Sequence, residues 1–194
     1  MLFRSPARAL PYELNVVGDV DFAARTVTIQ FVNSGQAAAV FQVRSGSQEG
    51  PWTYTVGSVA QALDTWIRKA KSVYDLSVYG PNGFFRSLKG TIGVSGKANL
   101  GVRSTYDAEP GITLEIVNRG ASTSGVRIFD AYSKQTVAQS LASGQTLVWH
   151  WSLTSSSGWY DLAITVDSDS TFKQQLAGHV ETGANSTSDP LLGA

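Results

Sequence analysis

Apolar and polar residues alternate along most of the chain, in short runs closed by turn residues. Val27, Ile29 and Phe31 fall on one face of a Thr26–Val32 run that ends at Asn33-Ser34-Gly35. Tyr12–Val17, Ala38–Val43, Trp52–Val56 and Tyr74–Tyr79 alternate in the same way, and Phe84–Val94 follows a Gly80-Pro81-Asn82-Gly83 turn. Farther on, Gly111–Val117, Val126–Tyr132, Thr146–Leu153, Trp159–Val166 and Thr171–Glu181 read as strands, with a turn at Asp167-Ser168-Asp169. A period of two with frequent turn signals predicts half-buried strands packed as sandwiches or barrels. Val59, Leu63, Trp66, Ile67 and Ala70 carry a helical spacing instead. Their counterpart Leu147-Val148-Trp149-His150-Trp151 reads as a strand, so a strand is also expected around Leu63–Ile67.

That counterpart exists because the chain repeats itself. Thr28-Ile29-Gln30-Phe31-Val32-Asn33-Ser34-Gly35 returns 85 positions later as Thr113-Leu114-Glu115-Ile116-Val117-Asn118-Arg119-Gly120. Tyr74-Asp75-Leu76-Ser77-Val78 returns as Tyr160-Asp161-Leu162-Ala163-Ile164, and Phe85–Gly90 returns as Phe172–Gly178 with one residue inserted. A period this long matches a whole small domain rather than a solenoid unit. The expected fold is all-β: two tandem β-sandwich modules, immunoglobulin-like, at 8–95 and 99–184, with a flexible tail at 185–194.

Composition narrows the chemistry. Charged residues make up 15% of the chain, against roughly 25% in typical soluble domains. Hydrophobic residues reach 42%, enough for packed cores. Net charge is zero, with ten Lys/Arg and six Asp/Glu in residues 1–98 and five and nine in residues 99–194. Basic residues are not interleaved with aromatics in any block, which argues against a nucleic-acid partner. The absence of cysteine removes disulfides, thiolate metal sites and cysteine nucleophiles. No stretch approaches the ~18 apolar residues of a spanning helix, and the first residues lack a signal-peptide apolar run.

Catalytic patterns are missing. There is no Gly-x-Ser-x-Gly elbow, Walker loop or metal-spaced His/Cys cluster. His150, between Trp149 and Trp151, reads as a rim residue; His179 stands where the other copy has Thr91. Asp167 and Asp169 read as turn residues before they read as calcium ligands. Asp75 and Asp161 recur within Tyr-Asp-Leu, which suggests a shared structural role such as bonding turn amides. No catalytic residue and no cofactor or metal is assigned.

One hairpin carries a candidate contact. Phe84 and Phe85 are adjacent on a strand and must face opposite sides, so one ring should enter the core and the other stay exposed. Phe84, Phe85, Arg86 and Lys89, with Arg68, Lys69 and Lys71 near by, form a candidate contact for a lipid headgroup surface.

These residues also carry a resemblance. Leu10-Pro11-Tyr12, Phe31-Val32-Asn33-Ser34-Gly35 and the run from Tyr74 through Gly80-Pro81-Asn82-Gly83-Phe84-Phe85-Arg86 to Gly90 resemble the C-terminal domain of bacterial phospholipase C enzymes of the phosphocholine-specific, acid-phosphatase-like kind. Gly158-Trp159-Tyr160-Asp161-Leu162 resembles the second copy of that module. The resemblance spans residues 10–182. It implies a large N-terminal catalytic domain elsewhere in the parent protein, which binds metal and cleaves phosphatidylcholine or sphingomyelin. It implies that the parent is secreted or periplasmic. The expected role is a non-catalytic accessory region that engages lipid surface, substrate or a partner. The alternatives are a purely structural domain packed on the catalytic domain, or a carbohydrate-binding module using Trp52, Trp149, Trp151 and Trp159.

Overall fold

A computed structural model of the chain describes residues 5–47, 49–67, 72–107 and 111–191. Its regular structure is almost wholly strand. The first copy comprises β2 (Leu14–Asp21), β3 (Thr26–Asn33), β4 (Ala39–Ser45), β5 (Trp52–Val56), β6 (Ala60–Ile67), β7 (Val73–Tyr79) and β8 (Phe85–Thr91), preceded by the two-residue β1 (Pro6–Ala7). The second comprises β9 (Leu100–Asp107), β10 (Gly111–Asn118), β11 (Ser124–Asp130), β12 (Thr136–Leu141), β13 (Thr146–Ser152), β14 (Trp159–Val166) and β15 (Asp169–His179), followed by β16 (Ser186–Thr187). The strand expected near Leu63–Ile67 is β6. Leu63 and its counterpart Val148 both point outward, 67% and 62% exposed, so the helical spacing there reflects a half-apolar outer face.

Each copy buries its own core. Val27, Ile29, Phe31, Phe41, Leu76 and Val78 are fully buried in the first; Ile112, Leu114, Ile116, Ile128, Leu162 and Ile164 are buried in the second. Three strands, β2-β3-β6 or β9-β10-β13, cover one side of each core. The other side is covered by a single sheet that runs under both cores, ordered β12-β11-β14-β15-β8-β7-β4-β5. The two modules therefore do not hang from a linker. They are joined by the antiparallel pairing of β8 with β15.

The pairing has an internal symmetry. Tyr74 lies opposite Gly90 as Tyr160 lies opposite Gly178. A Cβ on Gly90 would come within 2.4 Å of the Tyr74 hydroxyl, and one on Gly178 within 3.0 Å of the Tyr160 hydroxyl. Both glycines leave room for a buried tyrosine, which explains their recurrence. With those positions matched, Leu88 corresponds to Leu176 and Arg86 to Gln174. At the junction Ser87 faces Gln175, flanked by Arg86–Leu176 on one side and Leu88–Gln174 on the other. That is the self-complementary pattern of a two-fold dimer contact, here within one chain. The same matching sets Phe84, not Phe85, against Phe172, which corrects the insertion placed between them from sequence.

The recurring Asn33 and Asn118 are buried turn braces. Asn33 Nδ2 donates to the carbonyls of Ala37, Val56 and Gly57, and its Oδ1 accepts from Gly35 N–H. Asn118 Nδ2 donates to Ser122 and Leu141, and its Oδ1 accepts from Gly120 N–H. The recurring aspartates differ from expectation. Their side chains do not brace turns; Asp75 pairs with Lys89 at 2.9 Å and Asp161 accepts from Gln175, because both sit on the solvent face of the shared sheet. Their backbone carbonyls accept equivalent turn amides, from Gly46 and Ala131.

The segment between modules is held from the second one. Asp169, 1% exposed, accepts from Lys97 Nζ, Ala98 N–H, Thr171 N–H and Thr171 Oγ1. Asp167 instead pairs with Arg127 in solvent, so the two turn carboxylates do not converge. Burial pushes the Asp169 carboxyl up, but the Thr171 hydroxyl, Ala98 amide and Lys97 ammonium outweigh it and hold it at about 2, below the ordinary 3.8. A depressed carboxylate stabilises the fold above its unfolded value and loses that contribution as pH falls from about 4 toward 2. With Lys97 partly exposed, the contribution is about 1–2 kcal/mol. Asp169→Asn is expected to be less stable than the natural chain at pH 7, with the gap closing by pH 2 in urea titrations. A gap of unchanged size at pH 2 would contradict this assignment.

Residues 185–194, expected as a flexible tail, are tied down as far as they are described. β16 pairs with β1, Trp159 Nε1 donates to Thr187 O, and Tyr132 Oη donates to Asp189.

Candidate functional site

The Phe84–Lys89 hairpin places its candidate residues on two different surfaces. Strand parity sends Phe84, Arg86 and Leu88 inward and Phe85, Ser87 and Lys89 onto the outer face of the eight-stranded sheet. Phe84 is buried, edge-on to Phe41 with ring centroids 5.7 Å apart. Phe85 is half-buried and lies against Tyr79, ring centroids 5.2 Å apart. Arg44 sits 5.3 Å over the Tyr79 ring. The outer face thus carries a row Arg44–Tyr79–Phe85 with the Lys89–Asp75 pair beside it. Arg68, Lys69 and Lys71 lie outside the described residues.

Arg86 corrects the sequence expectation. It is 2% exposed and cannot meet a lipid headgroup from its place beneath the sheet. Its guanidinium donates to the carbonyls of Phe85 and Ala177 and to the hydroxyls of Tyr106 and Tyr160, and lies 4.3 Å over the Phe84 ring. Tyr106 in turn donates to Leu14 O at 2.7 Å. Burial alone would depress the guanidinium, but the Tyr160 and Tyr106 oxygens hold it above its ordinary value. Burial, then Tyr160, raises the Tyr106 phenol well above its own. Arg86 is a pin between modules: it is on β8, and its partners other than Phe85 are on β9, β14 and β15.

Among the described residues, no carboxylate is hydrogen-bonded to this buried cation. Its removal therefore strands no opposite charge, and Tyr106 and Tyr160 still bond each other at 3.0 Å. Arg86→Met, which keeps the volume, is expected to change stability by less than about 1 kcal/mol. Arg86→Ala leaves a cavity at the junction and should cost about 2–4 kcal/mol. Equal losses for both substitutions in chemical denaturation would show that hydrogen bonds, not volume, hold the junction.

His179 sits in an arrangement that superficially resembles a catalytic triad. Its Nδ1 is 3.0 Å from Glu181 Oε1, and its Nε2 is 3.1 Å from Ser186 Oγ. However, Nε2 is also 3.0 Å from Ser157 O, and the Ser186 hydroxyl donates to that same carbonyl. The ring nitrogen is shared with a backbone carbonyl, and the serine hydroxyl is spent on that carbonyl rather than left free to act as a nucleophile. The cluster is a clasp that fastens β16 and the Ser157 turn to the end of β15. His150 is exposed on β13 beside Asp107, 3.0 Å away. Among the described residues, no three His, Cys, Asp or Glu side chains stand close enough to hold a metal ion.

Trp52, Trp149, Trp151 and Trp159 do not form a platform. Trp52 and Trp151 pack against the two cores, and Trp159 is 9% exposed. Trp149 is the more exposed one, its ring centroid 6.0 Å from that of Trp151 and tilted by 52° rather than coplanar. Sequence reasoning missed Arg44, Tyr79 and Tyr106. Parity in Phe84-Phe85-Arg86 already placed Arg86 with Phe84; the partners that make its burial tolerable come from strands far away in the chain.

The paired sandwiches over one shared sheet, with no assembled nucleophile or ligand set among the described residues, define a β-sheet module class. A family model described as the C-terminal domain of bacterial phospholipase C matches residues 6–91 and again 100–179, and the chain belongs to that family. It is 41% identical, over 96% of its length, to a non-hemolytic phospholipase C of Burkholderia pseudomallei. It is 34% identical over 97% of its length to a non-hemolytic phospholipase C of Pseudomonas aeruginosa, and 32% identical over 96% to a hemolytic one from the same species. The chain spans only 27%, 28% and 29% of those relatives' lengths.

Proposed function

We propose that this chain is a non-catalytic accessory region of an exported bacterial phospholipase C and helps the enzyme engage a lipid surface. The observation that carries this reading is the row Arg44–Tyr79–Phe85 beside Lys89 on the outer face of the shared sheet. Aromatic rings with flanking cations suit the headgroup layer of a membrane. The partner within the parent is its catalytic domain, and the surface is one that contains phosphatidylcholine. The chain itself turns over no phosphodiester.

The test combines two measurements on the whole chain. It is expected to cosediment with phosphatidylcholine vesicles, and Phe85→Ala and Arg44→Ala should each weaken this about threefold or more. It should release no nitrophenol from p-nitrophenylphosphorylcholine with any divalent metal. Turnover that survives exhaustive purification would overturn the non-catalytic reading. Vesicle binding that is absent, or unaffected by both substitutions, would favour the structural alternative, in which this face packs on the catalytic domain. The short side chains of Ser77, Ser87, Ala163 and Ala177 on the same face suit that alternative.

A further inference from the structure

The two modules close one sandwich edge differently. In the first, the Tyr54 ring of β5 stacks on Phe31, centroids 4.5 Å apart, and its hydroxyl donates to Asp64 of β6. The equivalent positions in the second are Gln139 on β12 and Trp149 on β13. Val56 matches Leu141 under the asparagine braces, and the facing pair Ile29–Asp64 matches Leu114–Trp149. Gln139 is exposed and Trp149 is 36% exposed, although strand parity aims both toward the core. An inward charge on an edge strand protects it from pairing with another chain. The first module has that protection in Asp64. β13 has none: Thr146-Leu147-Val148-Trp149-His150-Trp151-Ser152 contains no Asp, Glu, Lys, Arg or Pro. It also ends its three-stranded sheet. Asn118 N–H bonds Gln145 O, and alternation along this pair turns the backbone groups of Leu147, Trp149 and Trp151 toward β10. Those of Thr146, Val148, His150 and Ser152 therefore face out from the open edge.

We infer that a second copy of this chain pairs with this edge, β13 to β13, antiparallel about a two-fold axis at Trp149. The outward groups are placed symmetrically about Trp149. Thr146 then meets Ser152 of the second copy, and Val148 meets His150 of the second copy, so each outward N–H and C=O of the strand gains a partner. The two Trp149 residues form a close, non-hydrogen-bonded pair at the axis, and each ring covers the exposed part of the other. The strand is free of Lys, Arg, Asp and Glu, so the two-fold brings no like charges together along it, and the edge complements itself. The chain already makes one such contact internally, in the antiparallel β8–β15 seam with its two-fold pattern. The contact is isologous and uses up the edge, so assembly stops at two. This inference does not rest on the lipid-surface reading, because β13 lies in the layer across the core from the sheet that carries Arg44, Tyr79 and Phe85.

The test is sedimentation equilibrium of the whole chain across the micromolar range, with amide hydrogen exchange at both ends of that range. A reversible doubling of mass is expected, with the Val148 and His150 N–H groups exchanging more slowly at high concentration. Trp149→Lys, which sets two ammonium groups against each other at the axis, should weaken association about tenfold or more. Val148→Pro removes one outward N–H and keeps the bonds to β10, as an edge strand allows, so a folded variant that also weakens association is available. The double change Gln139→Tyr with Trp149→Asp transplants the closure of the first module and should give a stable monomer. Leu63→Lys, at the same outer position as Val148 but in the first module, should leave association unchanged. A chain that stays monomeric at every concentration would overturn the proposal, as would a dimer indifferent to both Trp149→Lys and Val148→Pro. Protection of the Val148 and His150 amides in a monomeric chain by an unrelated Thr-Val repeat peptide would also overturn it, in favour of a strand from another protein.

Discussion

Asn33→Ala and Asn118→Ala are each expected to cost about 3–5 kcal/mol, and to cost nearly the same. Both side chains are fully buried. Each amide bridges the end of one strand to the end of another: Asn33 from β3 to the β5 end at Val56, Asn118 from β10 to the β12 end at Leu141. Alanine would leave two or three carbonyls and one N–H without partners inside the fold, at about 1–3 kcal/mol for each buried group. Aspartate should do no better, since it removes the donors and places a charge among carbonyl oxygens. Urea unfolding of the single and double variants provides the measurement. The sites lie in separate cores, so the two losses should add. A loss below about 1 kcal/mol at either position would mean that water replaces the amide and that the brace is incidental.

Phe84→Ala should likewise cost about 3–5 kcal/mol, the loss typical of deleting a buried phenyl ring. The ring packs on Phe41 and lies beneath the Arg86 guanidinium, so its removal opens the first core and uncovers the junction pin together. Phe85→Ala should cost under about 1 kcal/mol, because it gives up a half-exposed contact with Tyr79 on the outer face. The neighbouring substitutions thus separate fold from surface: one lowers the denaturation midpoint, the other leaves it nearly unchanged and is read in vesicle binding. Similar stability losses for both would place Phe85 in a structural contact and remove it from the candidate surface.

Strand content was legible where alternation is strong, as in Thr26–Asn33 and Trp159–Val166. It was not legible in β9 and β12. Leu100-Gly101-Val102-Arg103-Ser104 breaks its pattern with a glycine that lies against Arg119 and Val117. β12 is an edge strand whose solvent-facing side carries Thr136, Ala138 and Ser140, too small to register as a polar stripe. The charge split between halves did not foretell how they meet. The pair Arg119–Asp19 joins a cation of the acidic half to an acid of the basic half.

By itself the sequence determined that the chain is β throughout, that it contains one plan twice, and that Asn33/Asn118 and Tyr74-Gly90/Tyr160-Gly178 are its shared structural positions. Those follow from short-range period and self-similarity, which backbone geometry converts directly into strands and turns. Only the tertiary structure decided that the copies share one sheet through β8 and β15 and that Arg86 is a buried pin. Both depend on residues about 70 to 90 positions apart becoming neighbours, and a pairing between two strand edges has no local signature: the same alternating strand serves as an open edge or as the seam between two cores.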